Sequence, residues 1–286
     1  MATSAPAPSR FPLPVDRYVV IGNPVAHSLS PEIHARFAEQ SGERIEYSRL
    51  LVPPGRFVIH AKEFFDGGGR GANITLPFKV DAFHWATHHS ERALRAGAAN
   101  FLMRRERLEI FADNTDGAGL VADLTRNLGV ELHGASILLV GAGGAARGVM
   151  APLLAQSPRS LRVANRTAAK AEELVREFAG LGNIGATPLD AISVEPFDVV
   201  INATSTSTRG EALDLGGLRW SARTLAYDMA YGPAAKPFLA RAASAGSRVS
   251  DGLGMLVEQA AESFALWRGK HPDTSPVLQS LRARLG

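Results

Sequence analysis

The sequence predicts an α/β protein with a parallel, doubly wound sheet, and its length suits one large domain or two ordinary ones. Strand-like apolar runs alternate with helical patterns along the 286 residues, and one strand passes directly into a glycine cluster and then a helix. Such alternation favours parallel strands joined by helical crossovers. An apolar fraction of 45% is sufficient for a full hydrophobic core.

The first half opens with a strand at residues 18–22, followed by a loop and a helix. Ser30 is predicted to be the N-cap of this helix and Pro31 its first residue, a position where proline is favoured. The helix continues through Ile33, Phe37 and Ala38. Further apolar runs near residues 45–52, 72–76 and 108–111 are separated by Gly, Pro and Asn, so this half is also α/β.

The second half shows the alternation more clearly. Strands are predicted at residues 137–140, 161–164, 197–201 and 224–228, and helices at 145–156, 168–178, 233–245 and 253–267. This order predicts the parallel, doubly wound sheet.

Composition excludes several classes of protein. The formal net charge is only +3 and the arginines are scattered, so no nucleic-acid partner is expected. The absence of cysteine excludes disulfides, thiolate metal sites and a cysteine nucleophile. Residues 1–15 resemble a short disordered tail rather than a signal peptide, and the apolar stretch 135–155 carries Arg147, which argues against a membrane span. We therefore expect a cytoplasmic protein.

One lysine stands out as a candidate catalytic residue. Only five of the 31 basic residues are lysine, and Lys79 is the sole charge between Arg70 and Asp81. Arginine stays protonated in proteins, whereas a partly desolvated lysine can act as an acid, a base or an electrostatic clamp. The alternative is a surface lysine whose stem passes over Phe78.

The glycine cluster lies between a predicted strand and a predicted helix, the context in which such a cluster binds a dinucleotide phosphate. Gly141 permits the tight turn, Gly143 lets the backbone approach a pyrophosphate, and Ala146 takes the place of a third glycine. The helix N-terminus then favours the anion. The alternative is a turn that is merely close-packed. The predicted cofactor contacts in this loop are Gly141, Ala142, Gly143, Gly144 and Ala145.

The end of the next strand indicates which dinucleotide is bound. An NAD site usually has an acidic residue there, but this chain has Asn165, Arg166, Thr167 and, further on, Lys170. Arg166 and Lys170 suit a 2′-phosphate, and Thr167 could cap the following helix and also donate to that phosphate. The sequence favours NADP over NAD, with a solvated surface arginine as the alternative.

Two further segments carry polar side chains that could bind a small molecule. Ser28 and Ser30 are two residues apart, so in an extended stretch both hydroxyls point to the same side and could hold a polyol or a carboxylate. Ser30 could equally serve only as a helix cap. Asp116 ends the sequence Asp-Asn-Thr-Asp, which taken alone is an ordinary turn.

Together these motifs resemble the shikimate dehydrogenase family, from about residue 18 to the C-terminus. The family's substrate serines match Ser28 and Ser30, and its Asn-x-Thr-x-Pro-Phe-Lys motif matches Asn73, Thr75 and Lys79. The resemblance continues through Gly97-Ala-Ala-Asn100, Asp116, the glycine loop, Asn165-Arg-Thr, Asn202-Ala-Thr-Ser205, Met229, Tyr231 and the segment 251–259.

The resemblance implies a substrate domain interrupted by an NADP domain. The substrate domain would comprise residues 1–115 and 252–286, and the Rossmann-like NADP domain residues 116–251, with the C-terminal helices returning to the first domain. The implied substrate contacts are Ser28, Ser30, Asn73, Thr75, Asn100, Tyr231 and Gln259. Further implied cofactor contacts are Glu91, Thr204, Met229 and Gly252. Gln259 lies at the edge of an apolar helical stripe, so a satisfied core glutamine is the alternative for that residue.

The implied reaction is the reversible NADPH-dependent reduction of 3-dehydroshikimate to shikimate, a step of aromatic amino acid biosynthesis. Moving hydride to a carbonyl builds negative charge on oxygen, which calls for a cation or proton donor. We assign that role to Lys79, with Asp116 orienting it, and which of the two carries the proton stays open. No metal is expected, because the eight histidines show no ligand spacing. The oligomeric state is not encoded in any motif, and a homodimer is left open.

The match has departures, and other functions compete with it. Leu29 stands where many members carry lysine, and leucine also occurs there among relatives that accept quinate, so quinate or NAD use stays open. The glycine loop ends in Ala-Ala rather than Ala-Ser, a small change because the phosphate contacts come from backbone amides. A glutamyl-tRNA reductase-like enzyme would need a cysteine that is absent. A non-catalytic NADP-binding regulator would have no need of Lys79 and Asp116.

Overall fold

The computed structural model describes residues 15–106, 109–192, 196–206, 213, 215 and 217–285. The tail predicted at residues 1–15 lies outside this part of the chain except for its last residue. The described residues form two six-stranded sheets flanked by helices. The predicted α/β class is therefore confirmed.

The first sheet has the strand order β2-β1-β3-β5-β6-β4. Its strands are β1 Asp16–Gly22, β2 Ile45–Leu51, β3 Gly71–Ile74, β4 His88–His89, β5 Phe101–Arg104 and β6 Ile110–Asp113. Strand β5 runs antiparallel to both of its neighbours, whereas β2, β1 and β3 are mutually parallel and β4 is parallel to β6. The carboxyl ends of β1, β3 and β6 therefore meet at one edge of the sheet.

The helices of the first half are α1 Ser30–Ser41, α2 Phe57–Asp66, α3 Lys79–Trp85, α4 Glu91–Ala96 and α5 Asp116–Ala122. The predicted N-cap role of Ser30 is wrong. The cap position is Leu29, and no side chain caps the helix. The hydroxyl of Ser30 accepts instead a hydrogen bond from Ser28, at 3.2 Å. The remaining helix-start signal is Pro31, in the first turn of α1.

The second sheet is parallel throughout, with the order β12-β11-β10-β7-β8-β9. Its strands are β7 Ser136–Val140, β8 Ser160–Asn165, β9 Ile184–Pro188, β10 Val199–Asn202, β11 Leu225–Asp228 and β12 Arg248–Asp251. Its helices are α6 Gly144–Leu154, α7 Ala168–Phe178 and α8 Lys236–Ser244. This is the doubly wound order in which a ligand binds where the strand order reverses, between β7 and β10. The predicted doubly wound sheet is confirmed.

Two helices connect the halves of the molecule. The chain leaves the first sheet through α5 and a π-helical turn over Asp123–Asn127, and it returns through α9, Leu253–Arg268. Helix α10, Ser275–Leu285, follows α9. A Cβ on Gly119 would lie 2.7 Å from the backbone nitrogen of Gln259, so α5 and α9 cross in close backbone contact. Helix α9 also packs on α1, where Phe37 and Phe264 share one core cluster.

Thr167 occupies the N-cap position of α7, but its side chain makes no capping hydrogen bond. The capping role considered for it is therefore wrong, and its hydroxyl is not committed to the helix. No helix in the described ranges is long and apolar enough to cross a membrane.

Candidate active site

Lys79 and Asp116 meet at the carboxyl edge of the first sheet. Lys79 begins α3, shortly after β3, and Asp116 begins α5, shortly after β6. The Nζ of Lys79 donates to Oδ2 of Asp116 at 2.5 Å. The side chains are 22% and 9% exposed, so the ammonium still reaches solvent while the carboxylate is almost covered. This leaves one face of the lysine available to a ligand.

Asn100 holds the other oxygen of Asp116. Its amide nitrogen donates to Oδ1 of Asp116 at 2.8 Å, and its own oxygen accepts from the backbone nitrogen of Thr115 at 2.7 Å. The same amide nitrogen lies 3.2 Å from Oε1 of Gln259 on α9. Asn100 is only 2% exposed, so these contacts fix its amide in one orientation. Both oxygens of Asp116 thus have fixed donors.

A second group of polar side chains extends from this cluster into the first sheet. The amide of Asn73 donates to Oγ of Ser263 at 2.9 Å and accepts from the hydroxyl of Tyr47 at 2.8 Å. Ser263 lies 3.2 Å from Oγ1 of Thr115, which joins the two groups. Tyr47, Thr115 and Ser263 were not predicted from the sequence. Ser263 follows Gln259 by one helical turn, a spacing that could have indicated its position.

The two serines lie beside this network, at the carboxyl end of β1. Ser30 is buried and Ser28 is partly exposed, and their hydroxyls are 3.2 Å apart. Arg49 donates to the backbone oxygen of Ser28 from Nη2 at 2.6 Å, which fixes the loop. Thr75 follows β3, and its backbone nitrogen donates to the oxygen of Ile21 at 2.9 Å. The hydroxyl-bearing residues therefore line the same sheet edge as Lys79.

A buried histidine lies one turn beyond Ser30 on α1. The ring of His34 is fully buried and stacks on Tyr47 with 4.2 Å between ring centroids. Neither ring nitrogen has a hydrogen-bond partner among the described residues. Burial lowers the pKa of His34 to about 3. The ring is therefore neutral at physiological pH.

We expect His34 to make the folded state sensitive to mild acid. The unfolded chain binds a proton near pH 6.5 and the folded chain does not, so the contribution of His34 to stability is lost as pH falls below 6.5. The free energy of unfolding should drop by about 1 kcal/mol from this group between pH 7 and pH 5.5. Denaturant titrations of His34→Leu should show a flatter pH dependence than the wild type. His133→Leu, at an exposed histidine, should leave the slope unchanged, and an unchanged slope in His34→Leu would contradict the prediction.

The second sheet carries the glycine loop at its carboxyl edge, between β7 and α6. Gly141 has φ +118°, and a Cβ there would lie 3.0 Å from the carbonyl group of Ala203. A side chain at this turn is therefore disfavoured both by the positive φ and by the close contact with Ala203. A Cβ on Gly143 or Gly144 would meet nothing within 4 Å, so the outer face of the loop is open. The N-terminus of α6, without a side-chain cap, is directed at this space.

The neighbouring strand β8 ends at Asn165, and Arg166, Thr167 and Lys170 follow it. The backbone nitrogen of Gly141 donates to the oxygen of Ala164 at 2.8 Å, which sets the end of β8 beside the glycine loop. Asn165 donates to the backbone oxygen of Thr167 at 2.9 Å. Arg166 and Lys170 are exposed. Two exposed cations thus follow the strand end that lies beside the glycine loop.

The remaining predicted residues lie around the ends of β10, β11 and β12, with one exception. The hydroxyl of Thr204 donates to Asn202 at 2.7 Å, and a Cβ on Gly252 would lie 2.3 Å from the oxygen of Met229. Tyr231 packs against the α1 and α9 cluster of the first half, and burial raises its pKa. The exception is Glu91, which begins α4 and forms an exposed ion pair with Arg95 at 3.4 Å.

The two sheet edges lie side by side. Asn114 precedes Asp116 by two residues. Its side-chain amide would be 3.3 Å from a Cβ on Gly148, which lies one turn into α6. Together with the packing of Tyr231 on α1 and α9, this contact brings the lysine cluster and the glycine loop to a common region. An arrangement of a lysine–carboxylate pair, a polar cradle and a phosphate-type loop can support hydride transfer to a carbonyl. No group of three or more His, Asp or Glu suited to a metal occurs among the described residues.

Comparisons with known proteins assign the chain to a family. Residues 20–102 match the shikimate dehydrogenase substrate binding domain, residues 122–210 match shikimate / quinate 5-dehydrogenase, and residues 252–282 match the shikimate 5'-dehydrogenase C-terminal domain. The shikimate dehydrogenase (NADP(+)) of Paracidovorax citrulli is 53% identical over 274 residues, which cover 94% of this chain and 98% of that protein. The chain belongs to the shikimate dehydrogenase family.

Solved structures of similar proteins agree with this membership. The shikimate 5-dehydrogenase of Thermus thermophilus, crystallised with NADP(H) and shikimate, is 32% identical, with a TM-score of 0.82 and coverage of 94% of this chain and 99% of that one. An Ael1 enzyme from Pseudomonas putida is 43% identical, with a TM-score of 0.88 and coverage of 93% and 98%. The shikimate 5-dehydrogenase of Thermus thermophilus thus shares this fold over nearly its whole length.

The family matches cover most of the predicted site, but not all of it. Lys79, Asn100, the glycine loop and Gln259 fall within the matched ranges, whereas Asp116, Met229 and Tyr231 fall between them. For Asp116 the structure adds contacts with both Lys79 and Asn100.

Proposed function

We propose that this chain catalyses the reversible NADPH-dependent reduction of 3-dehydroshikimate to shikimate. Its relatives are named shikimate dehydrogenase (NADP(+)). The observation that carries the proposal is the hydrogen bond of 2.5 Å between Lys79 and Asp116, set among amides and hydroxyls beside a glycine loop. A regulator that only bound the cofactor would have no use for a partly exposed ammonium held in this way.

Lys79 acts on the substrate oxygen. Reduction of the ring carbonyl develops negative charge on that oxygen, and an ammonium in a partly desolvated site stabilises the charge or supplies the proton. Asp116 accepts the hydrogen bond that orients the ammonium, and Asn100 fixes Asp116 in turn. In the reverse direction the same pair removes the proton from the hydroxyl.

The remaining polar groups of the first sheet bind the substrate. Ser28 and Ser30 offer two hydroxyls close together, which suits a carboxylate. Asn73, Thr75, Asn100 and Gln259 face the ring hydroxyls, and Tyr231 reaches them from the second half. Hydrogen-bonded groups of this kind discriminate strongly against a substrate that lacks a hydroxyl, because an amide is then left unpaired.

NADP fits the residues of the second sheet. The glycine loop has open space where a pyrophosphate would lie, and the N-terminus of α6 is directed at it. Gly141, Ala142, Gly143, Gly144 and Ala145 would hold the pyrophosphate, while Asn165, Arg166, Thr167 and Lys170 would hold the ribose and its 2′-phosphate. Thr204, Met229 and Gly252, with Glu91 from the facing half, would border the nicotinamide end. When bound, NADPH supplies the hydride.

The division into domains is part of the same proposal. Residues 1–115 and 252–286 form the substrate domain and residues 116–251 the NADP domain, in keeping with the two sheets and their connections through α5 and α9. We also propose that the protein works in the cytoplasm. A homodimer is proposed on the edge of β2 that pairs with no other described strand, where Leu51 is 61% exposed, and sedimentation of the purified chain tests it.

A spectrophotometric assay that crosses shikimate and quinate with NADP and NAD tests the function. We expect turnover of shikimate with NADP to exceed every other combination. Substantial quinate turnover would favour the broader quinate/shikimate dehydrogenase, which Leu29 suggests. Binding of NADPH without turnover of either acid would contradict the proposal and support a regulator instead.

A further inference from the structure

Arg92 connects three separate elements just behind the Lys79–Asp116 pair. It lies on α4, and its Nε and Nη2 donate to the two oxygens of Asp113 at 3.0 and 2.6 Å. Its Nη1 donates to Oε1 of Glu262 on α9 at 2.8 Å. Burial disfavours the charged guanidinium, but the two carboxylates more than offset this effect and raise the pKa of Arg92 above its ordinary value. The contact with Asp113 is the two-point geometry that only arginine provides.

Asp113 is the last residue of β6, and its side chain is only 3% exposed. Besides Arg92, its carboxylate accepts from the hydroxyl of Ser90 and, at 2.7 Å, from the backbone nitrogen of Asn114. The carboxylate therefore holds the start of the turn that leads from β6 to Asp116. Arg92 is its only cationic partner within the described residues.

Asn114 passes this constraint on to Asp116. Its Nδ2 donates to the backbone oxygen of Ala98 at 3.0 Å, and its Oδ1 accepts from the backbone nitrogen of Asp116 at 3.2 Å. A continuous set of contacts thus runs from Arg92 through Asp113 and Asn114 to the residue that orients Lys79. None of the first three residues needs to touch the substrate.

We infer that Arg92 is a positioning residue for the Lys79–Asp116 pair, acting through Asp113 and Asn114. The inference rests on the proposed function, because it assigns Arg92 a part in the same reaction. Without the two-point contact between Arg92 and Asp113, the turn over residues 113–116 shifts. The hydrogen bond between Lys79 and Asp116 is then formed for a smaller fraction of the time. A misplacement of about 1 Å in a catalytic group can cost up to about 100-fold in rate.

The test uses Arg92→Lys, which keeps the charge but replaces the planar fork by a single ammonium. We expect the kcat per folded protein to fall roughly tenfold, with the KM for NADPH unchanged. Glu262→Gln keeps a hydrogen-bond acceptor for Nη1 and leaves Asp113 untouched, so its kcat should stay within about twofold of the wild type.

Arg268→Lys is the matched control. Arg268 also bridges two carboxylates, with Nη1 at 2.5 Å from Asp16 and Nε at 2.9 Å from Glu43, but at the amino end of β1. Its replacement should lower the melting temperature by a similar amount without changing kcat. A loss of kcat in Arg268→Lys equal to that in Arg92→Lys would overturn the inference, because general destabilisation would then explain both.

A second readout separates this inference from the proposed function. The rate at which an acylating reagent modifies Lys79, followed by mass spectrometry at fixed pH without substrate, reports how firmly Asp116 holds the ammonium. We expect faster modification in Arg92→Lys than in the wild type or in Arg268→Lys. An unchanged rate together with an unchanged kcat overturns the positioning role. If Lys79 of the wild-type protein reacts with the reagent but the protein turns over no shikimate, the proposed function fails. The modification rates alone then decide the role of Arg92.

Discussion

We expect Lys79→Ala to lower kcat for shikimate about a thousandfold while the affinity for NADPH changes by less than about twofold. The substitution removes the only ammonium at Asp116 among the described residues, and general acid–base catalysis of this kind contributes roughly 10² to 10⁴ in rate. The cofactor contacts assigned to the second sheet do not involve Lys79. Steady-state kinetics combined with fluorescence titration of NADPH measure the two effects separately.

Lys62→Ala is the control for Lys79→Ala. Lys62 forms an exposed ion pair with Asp66 on α2, and exposed pairs of this type contribute little to stability. Its replacement should leave kcat unchanged. If Lys79→Ala retained the wild-type kcat, the role assigned to this lysine would be wrong, even if the enzyme proved to be a shikimate dehydrogenase.

The second large effect that we expect is on the preference for NADP over NAD. Arg166→Ala should weaken NADP binding on the order of 100-fold and NAD binding by less than about threefold, because charge-assisted hydrogen bonds to a phosphate are among the strong ones. Arg166 is exposed at the end of β8, beside the glycine loop, where a 2′-phosphate would lie. Titration of each oxidised dinucleotide into the variant gives the two affinities.

Arg176→Ala supplies the comparison for Arg166→Ala. Arg176 is likewise exposed, but it lies in the last turn of α7, away from the loop. Its removal tests for a general effect of lost positive charge. Equal weakening of NADP and NAD by Arg166→Ala would mean that the arginine does not distinguish the 2′-phosphate. A salt series adds a further check, because an exposed charge contact weakens as ionic strength rises.

Four of the six strands of the second sheet could be predicted from the sequence because they are mostly buried apolar runs separated by helices, whereas the more exposed strands β9 and β12 were not predicted. Runs such as residues 137–140 and 197–201 coincide closely with β7 and β10. The first sheet was harder to predict. The antiparallel direction of β5 depends on which neighbours it pairs with, and the two-residue strand β4 is too short for any pattern. The cap assigned to Ser30 failed because its hydroxyl has another partner, Ser28.

In the candidate site, too, some residues could be predicted from the sequence and others could not. Lys79 was identified from its charge context and Asp116 from a motif, and both are near β-strand ends that meet at one edge. Tyr47, Ser263 and Arg92 were missed, because their importance comes from contacts between residues far apart in sequence. The amide of Asn73, for example, reaches Ser263, which is 190 positions away. No local pattern encodes such a pair, whereas the packing of α9 on the first sheet brings it together.

The location of Asp116 at the first residue of α5 has a mechanical consequence. Helix α5 is one of the two connections between the sheets, and it crosses α9 with backbone atoms in close contact at Gly119. If the second sheet rotates about this crossing, displacement grows with distance from the pivot. Asp116, three residues before Gly119, would move little. Arg166, which is exposed after the end of β8, would move further. A rotation of this kind would move Arg166 relative to the first sheet while the contact between Lys79 and Asp116 stayed nearly unchanged.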